Sequence, residues 1–365
     1  YDDNGAVSTP YINEFADQVK ALSGGTITIV PSWAADTEQN VLKAVIAGQY
    51  DLGLVASRAW DTANITSFQA LQAPFLISND ALSIAVATGD IARQMLDSLS
   101  PSGVVGLTLW PEDLRHPFSV VPGKPLLSPA DFAGLTMRVP PSTVSNMLIK
   151  QLGATPMYED SGYQGAESGL TQLGTLNGRP IATGNVTFYP KFQVLFANGA
   201  AFKKLSIAQQ KVLTDAAAAA QKKAIAEHQS DAAAGTAWCA DGSTIVLASA
   251  EQIAAFEKAA QPVFDSLNKD PFNAKMIAAI NELKANTTAS AGAQACQLQT
   301  VQISPLPTAS GTEVWSTGTL PNGVWTVKLS ADELYQMGDS RSVASDWAGT
   351  YTVPLQDGNF QILYQ

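Results

Sequence analysis

The stretch LTMRVPPSTVSNMLIKQL, residues 135–152, constrains the fold more tightly than any other part of the chain. Leu135 to Val139 reads as a short strand. Pro140 and Pro141 close it, because proline cannot continue a ladder, and they suit the first turn of a helix. That helix starts near Ser142 or Thr143, and Val144, Met147, Leu148 and Leu152 recur on it at helical spacing. Arg138 sits between Met137 and Val139 at the carboxyl end of the strand, the end where open α/β sheets bind ligands. A guanidinium among apolar neighbours is costly without an anionic partner. For an arbitrary arginine that partner is more often a structural carboxylate, or water, than a ligand.

The rest of the chain repeats the strand-and-helix alternation. Thr9-Pro10 predicts a helix N-terminus, with Tyr11, Phe15, Val19 and Leu22 on one face and Gly24-Gly25 as the stop. TITIV, residues 26–30, predicts a strand. Thr37 caps a second helix carrying Val41, Leu42, Val45 and Ile46, and DLGLV, residues 51–55, predicts the next strand. A helix over about 80–99 and a buried strand over 104–110 follow. Alternation of this kind predicts a parallel sheet. Further on, a short helix is expected over 162–173 and β-branched and aromatic strands over 180–198. Helices are expected over 207 to about 230, from Ser249 to about Leu267, and over 274–285. Ser206 with Gln209 and Ser249 with Gln252 form capping boxes. From Asn286 the composition turns to a Thr-, Ala- and Ser-rich linker. VWTVKL, GTYTVPL and NFQILY then predict a small all-β module.

Composition narrows the function. Of 365 residues, 46% are hydrophobic and 15% charged, and the net charge is −11. A large core is affordable, disorder is not indicated, and an acidic chain without a basic stretch excludes nucleic acid as a partner. No apolar run is long enough to span a bilayer. The start at Tyr1 fits a processed end, with an export signal removed and a lipid anchor conceivable before trimming. Cys239 and Cys296 are too far apart for a metal or redox spacing. They are read as a disulfide, with two free thiols as the alternative. No G-x-S-x-G elbow, P-loop or H-E-x-x-H is present, so no enzyme, metal or cofactor is expected.

Several segments in order resemble one family. FADQVKALSGGTITI, VLKAVIAGQYDLGLV, LQAPFLISNDALSIAVATGDIARQMLDSL, LWPEDLRHPFSV, PADFAGLTMRVPPSTVSNMLIKQLGATPM, ATGNVTFYP and FKKLSIAQQKVL are similar to segments of the solute receptors of tripartite ATP-independent periplasmic (TRAP) transporters. The resemblance covers about residues 9–285. Gln172 stands where the family usually carries aspartate, and QLGTLNGRP, residues 172–180, resembles an insertion. The resemblance implies a two-lobed periplasmic-binding-protein-like α/β fold whose cleft closes on one organic acid. The expected lobes are 1–120 with 206–250 and 121–205 with 251–290, followed by a linker, 291–312, and the β module, 313–365. It also implies a monomer outside the cytoplasm that serves membrane transporter subunits. A ligand-binding sensor domain feeding a signalling partner is the alternative.

Within that resemblance Arg138 is the residue that binds the ligand carboxylate, as the planar fork of arginine suits. Asn185 occupies the matching position on the facing strand, where it is either a ligand contact or a turn asparagine. Arg115 lies in a stretch placed near the cleft, with Glu112 as its alternative partner. Trp33, Trp110 and Phe188, each at a strand end or its loop, and Tyr158 are candidate cleft walls, although most buried aromatics are core. A dicarboxylate would call for a second cation, for which Arg115 and Arg58 are the candidates.

Overall fold

A computed structural model describes the backbone of residues 5–33, 37–172, 176 and 180–296, and of strand segments at 299–302, 313–319, 323–329, 349–355 and 359–364. In chain order the elements are α1 (Gly5–Leu22), α2 (Glu38–Ile46), β1 (Leu52–Ala56), α3 (Asp80–Thr88), α4 (Asp90–Asp97), β2 (Val104–Ser119) and β3 (Thr136–Arg138). Then come α5 (Thr143–Gln151), β4 (Thr155–Met157), β5 (Gly165–Gly169), β6 (Ile181–Thr183), β7 (Tyr189–Asn198), α6 (Gly199–Lys204), α7 (Ile207–Ala226) and α8 (Asp231–Ala240). The series continues with β8 (Thr244–Val246), α9 (Ala250–Leu267) and α10 (Pro271–Asn286), and then β9 (Gln299–Gln302), β10 (Glu313–Thr319), β11 (Gly323–Leu329), β12 (Gly349–Leu355) and β13 (Asn359–Tyr364).

Eight strands form one sheet with the path β1-β7-β2-β5-β3-β4, and β6 and β8 attached beside β2. The sheet is mixed, not parallel as the alternation suggests. β2 and β7 are long strands that run antiparallel to each other, and they set the direction of the strands beside them. Val104 to Pro111 of β2 pairs with Phe192 to Asn198 of β7 on the side of β1. Arg115 to Ser119 of β2 pairs with β5, at the other side of the sheet. A register shift between Pro111 and Leu114 separates the two stretches. One half, around β1, is covered by α1, α2, α3, α4 and α7. The other, around β3, β4, β5, β6 and β8, carries α5, α8 and α9.

Apolar burial follows the expected helix faces, except that Leu22 at the end of α1 is half exposed. Phe15 and Val19 of α1 pack against Leu213, Ala216, Ala217, Ala220 and Ala224 of α7, where small alanines allow close approach. The largest core cluster is continuous across both halves, from Leu42, Trp60 and Phe68 to Val144, Leu148 and Phe256. A smaller one joins Phe118, Trp238, Ile245 and Ala293. Beside it Cys239 and Cys296 are bonded, with Cα atoms 6.0 Å apart. Ser142, Ser206 and Ser249 cap α5, α7 and α9 as read from the sequence, the last two with complete capping boxes. Among the described residues no helix is long and apolar enough to cross a membrane.

Four local expectations fail. α1 begins before Thr9 and carries Pro10 inside it, at the loss of one ladder bond. Residues 26–30 lie outside any strand, and Thr28, Ile29 and Val30 border a groove beside β1. The helix over 80–99 is two helices, because extended Gly89 is both the C-cap of α3 and the N-cap of α4. The segment expected to be a helix over 162–173 contains β5, whose residues are all buried between β2 and β3. Gly165 and Gly169 permit that contact: a Cβ on Gly165 would lie 2.3 Å from the Met137 sulfur. The sequence reading also lacks α8, which Ser230 caps.

Candidate functional site

The connection from β3 to α5 carries Arg138. β3 is flanked by β4 and β5, with Arg138 aligned to Met157 and Ala166. Met137 and Val139 on either side are buried, and the Val139 N–H donates to the Met157 carbonyl at 2.9 Å. The strand end is therefore fixed, while the Arg138 side chain keeps 21% of its exposure. Its Nε donates to Asp160 Oδ1 at 2.7 Å, and the Asp160 side chain is 84% exposed. Nη1 and Nη2 make no hydrogen bond to another described residue. An ion pair this exposed contributes little, so the guanidinium is held in direction without being consumed.

Facing α5 is a polar cluster that the sequence reading missed. Ser142 Oγ lies 2.8 Å from both Asp61 Oδ2 and Gln72 Oε1. The Val144 N–H donates to Asp61 Oδ2 at 3.1 Å. Burial pushes the Asp61 carboxyl up, partly offset by the N–H groups of Thr143 and Val144 and by the Ser142 hydroxyl. One turn along α5, Ser145 Oγ and the Tyr189 hydroxyl are 2.6 Å apart. Burial, then the Glu167 charge, drives the Tyr189 phenol well above its ordinary value. Asn146 Nδ2 donates to the Tyr158 hydroxyl at 2.6 Å. The serine cap was legible, but its distant partners had no sequence signal.

Arg115 is buried and spends its guanidinium on protein partners. Its Nε donates to Glu167, its Nη1 to Gln172 at 2.9 Å and to Asp113 at 3.4 Å, and its Nη2 to the Glu167 carbonyl at 3.3 Å. Burial alone would lower its pKa, but Glu167 and Asp113 outweigh that and hold the guanidinium charged. Glu112 is not its partner: that carboxylate pairs with Lys191 at 2.7 Å and accepts from Ser8. Arg58, the other second-cation candidate, pairs with Glu38 at 3.4 Å.

The neighbouring His116 is fully buried. Its Nδ1 is 3.0 Å from the Val186 carbonyl and its Nε2 2.8 Å from Asp231 Oδ1. Both partners are acceptors, so both ring nitrogens must carry protons. Burial alone lowers the imidazolium pKa, and the Asp231 charge more than reverses this. Burial likewise raises Asp231, but His116 brings it below the usual carboxylate range. Asp231 also accepts from the Ala293 N–H at 3.0 Å, and its own N–H donates to Asp80 at 2.8 Å. Asp80 in turn meets His228 at 2.9 Å.

The other expected site residues scatter. Asn185 lies in the turn after β6 and spends both ends of its amide on Ala248, donating at 2.8 Å and accepting at 2.7 Å. That is the turn reading. Trp110 is core, edge-on to Tyr11 at 6.1 Å on the α1–α7 side. Phe188 is core as well, beside Phe75 and Phe132. Tyr158 is half exposed. Trp33 lines a groove of about 430 Å³ between α1, residues 28–33 and β1, away from Arg138.

Comparison with known proteins fixes the fold. The family model described as bacterial extracellular solute-binding protein, family 7, matches residues 4–159. The C4-dicarboxylate-binding periplasmic protein DctP of Rhodobacter capsulatus is 23% identical over 168 residues, 45% of this chain and 49% of that protein. The chain thus spans about half the length of that curated relative. Among solved structures, a TRAP periplasmic solute binding protein from Ralstonia eutropha with bound (S)-2-acetolactate aligns at a TM-score of 0.68 and 20% identity, over 77% of this chain and 95% of that one. One from Polaromonas, bound to D-erythronate, aligns at 0.65 and 23% over 75% and 94%. One from Xanthobacter autotrophicus, with bound β-D-galacturonate, aligns at 0.65 and 20% over 76% and 95%. The fold is the two-lobed α/β fold of TRAP receptors, as the sequence resemblance implied.

Proposed function

We propose that this chain, with the TRAP receptor fold and a family match over residues 4–159, captures a small organic acid between its lobes outside the cytoplasm. It then delivers the acid to a TRAP-type membrane transporter. Arg138 grips the carboxylate. The observation that carries this reading is the placement of that side chain: it sits at the carboxyl end of a strand fixed on both sides, and one exposed aspartate orients it through Nε. Nη1 and Nη2 then present the parallel donors that a carboxylate accepts. The ligands named for the three solved structures are all carboxylates, which supports an acid as cargo.

Calorimetric titration with acetolactate, erythronate, galacturonate and a C4-dicarboxylate tests it. If Arg138 holds the carboxylate in a closed cleft, Arg138→Ala costs about 2–5 kcal/mol of affinity, because the remaining charge is buried unpaired. Arg138→Lys recovers only part, since a point charge cannot form the paired bonds. Unchanged affinity in Arg138→Ala, with a lowered melting temperature, would make the arginine structural.

A further inference from the structure

We propose that Asp61, Gln72 and Ser142 form a clasp that locks the two lobes together from inside the cleft, separately from the arginine grip. The proposal rests on the two-lobed receptor reading. Asp61 belongs to the 3₁₀ turn Ser57–Ala63 after β1, and Gln72 to the turn Gln69–Gln72, both in the β1 half. Ser142 is the N-cap of α5, and Val144 lies in its first turn, in the other half. The contacts join residues 70 to 83 positions apart in sequence. All three side-chain partners are buried, Asp61 at 5% exposure and Gln72 and Ser142 at 1%.

The chemistry is specific. Ser142 has one proton and two acceptors facing it. The charged Asp61 is the stronger acceptor and takes the proton. Ser142 Oγ also accepts from the Ser145 N–H at 3.2 Å. The Gln72 amide then serves the hydroxyl through its NH2 group, with oxygen and nitrogen exchanged from the positions drawn. That exchange also gives Gln72 Nε2 the partner it otherwise lacks. Asp61 meanwhile lies at the positive end of a nine-residue helix, where a carboxylate is favoured.

Stability alone does not account for this arrangement. Asp61 Oδ1 is buried and has no hydrogen-bond partner among the described residues, and an apolar filling of the same volume would avoid that desolvation cost. A carboxylate that is hydrated when the lobes part and docks on α5 when they meet needs no such excuse. A second strap runs beside it, with Gln39 Nε2 3.5 Å from the Pro141 carbonyl.

The test uses the full chain without ligand. Spin labels replace the exposed Lys211 of α7 and Lys258 of α9, one on each lobe. Pulsed dipolar spectroscopy then reads the ratio of long to short distances. Asp61→Asn and Ser142→Ala should each raise that ratio about ten-fold or more, as for loss of a buried charge-assisted bond. The double variant should add little to either single one, because they break the same contact. Gln72→Leu, which leaves the helix cap and the carboxylate in place, should shift the ratio in the same direction if either other variant fails to fold. Unchanged distances in folded Ser142→Ala and Gln72→Leu overturn the clasp, even where the melting temperature falls. Widened distances in a protein that takes up no acid in calorimetry support the clasp and count against the receptor reading. Acid uptake with unchanged distances does the reverse.

Discussion

Arg115→Ala separates the two arginines that the sequence offered as ligand contacts. Arg115 is 4% exposed, and its ion-pair partners Glu167 and Asp113 are 0% and 6% exposed. Truncation leaves both carboxylates without this cation, and Gln172 and the Glu167 carbonyl without their donor. Breaking a buried pair by removing one member costs about 3–5 kcal/mol, a large share of the 5–15 kcal/mol typical of a folded domain. Urea unfolding of the ligand-free protein, followed by tryptophan fluorescence, should show a much lower midpoint at an unchanged slope. Glu167→Gln should cost less, because the amide keeps the shape and an acceptor while Asp113 keeps its pairing. A loss below about 0.5 kcal/mol in Arg115→Ala, within the usual scatter for surface positions, would refute the structural assignment. If acid affinity collapsed in the same variant, Arg115 would return to the ligand.

Two further outcomes follow from buried contacts. The folded-state pKa of His116 is raised, so its contribution is fully present below the ordinary value of 6.5 and is lost as pH rises through the folded value. Thermal melts should therefore show stability falling from about pH 6.5 up to the folded value and levelling beyond it, and Asp231→Asn should flatten this slope; an identical profile in the variant would exclude the pair as its source. Opening the Cys239–Cys296 bond, which closes a separation of 57 residues, should cost about 4 kcal/mol in the chain-entropy model. Denaturant unfolding with and without reductant measures it, and coincident curves would contradict that figure.

Elements with strong local signals were legible from the sequence. Ser142, Ser206 and Ser249 announced three helices, and Pro140-Pro141 marked the turn from β3 to α5. Segments whose state depends on distant neighbours were not. GAESG has the composition of a loop or weak helix, yet it becomes a buried strand because β2 and β3 bracket it. TITIV has a strand pattern but stays outside every strand. Arg138 could be singled out as a candidate because an arginine at an apolar strand end is locally anomalous. Asp61 and Gln72 could not, since nothing near them in sequence indicates the N-terminus they meet.

The pairing of Arg115 with Glu112 could have been set aside from the sequence. Side chains alternate across a strand, so i and i+2 share a face while neighbours in sequence do not. Glu112 is an odd number of positions from Arg115 and so belongs on the opposite face, and Asp113 belongs on the same one. The structure pairs them in that way, Arg115 with Asp113 and Glu112 with Lys191 of β7. Both pairs sit at or beside the register shift between Pro111 and Leu114, where β2 passes from one half of the sheet to the other. An irregular ladder leaves fewer backbone bonds to hold two long strands together. Buried ion pairs on both faces supply contacts at that point whose geometry is specific, and a shift of one residue there would place each charge opposite the wrong partner. Charge at this crossing therefore favours one register of β2 on β7, the pairing from which both halves of the sheet extend.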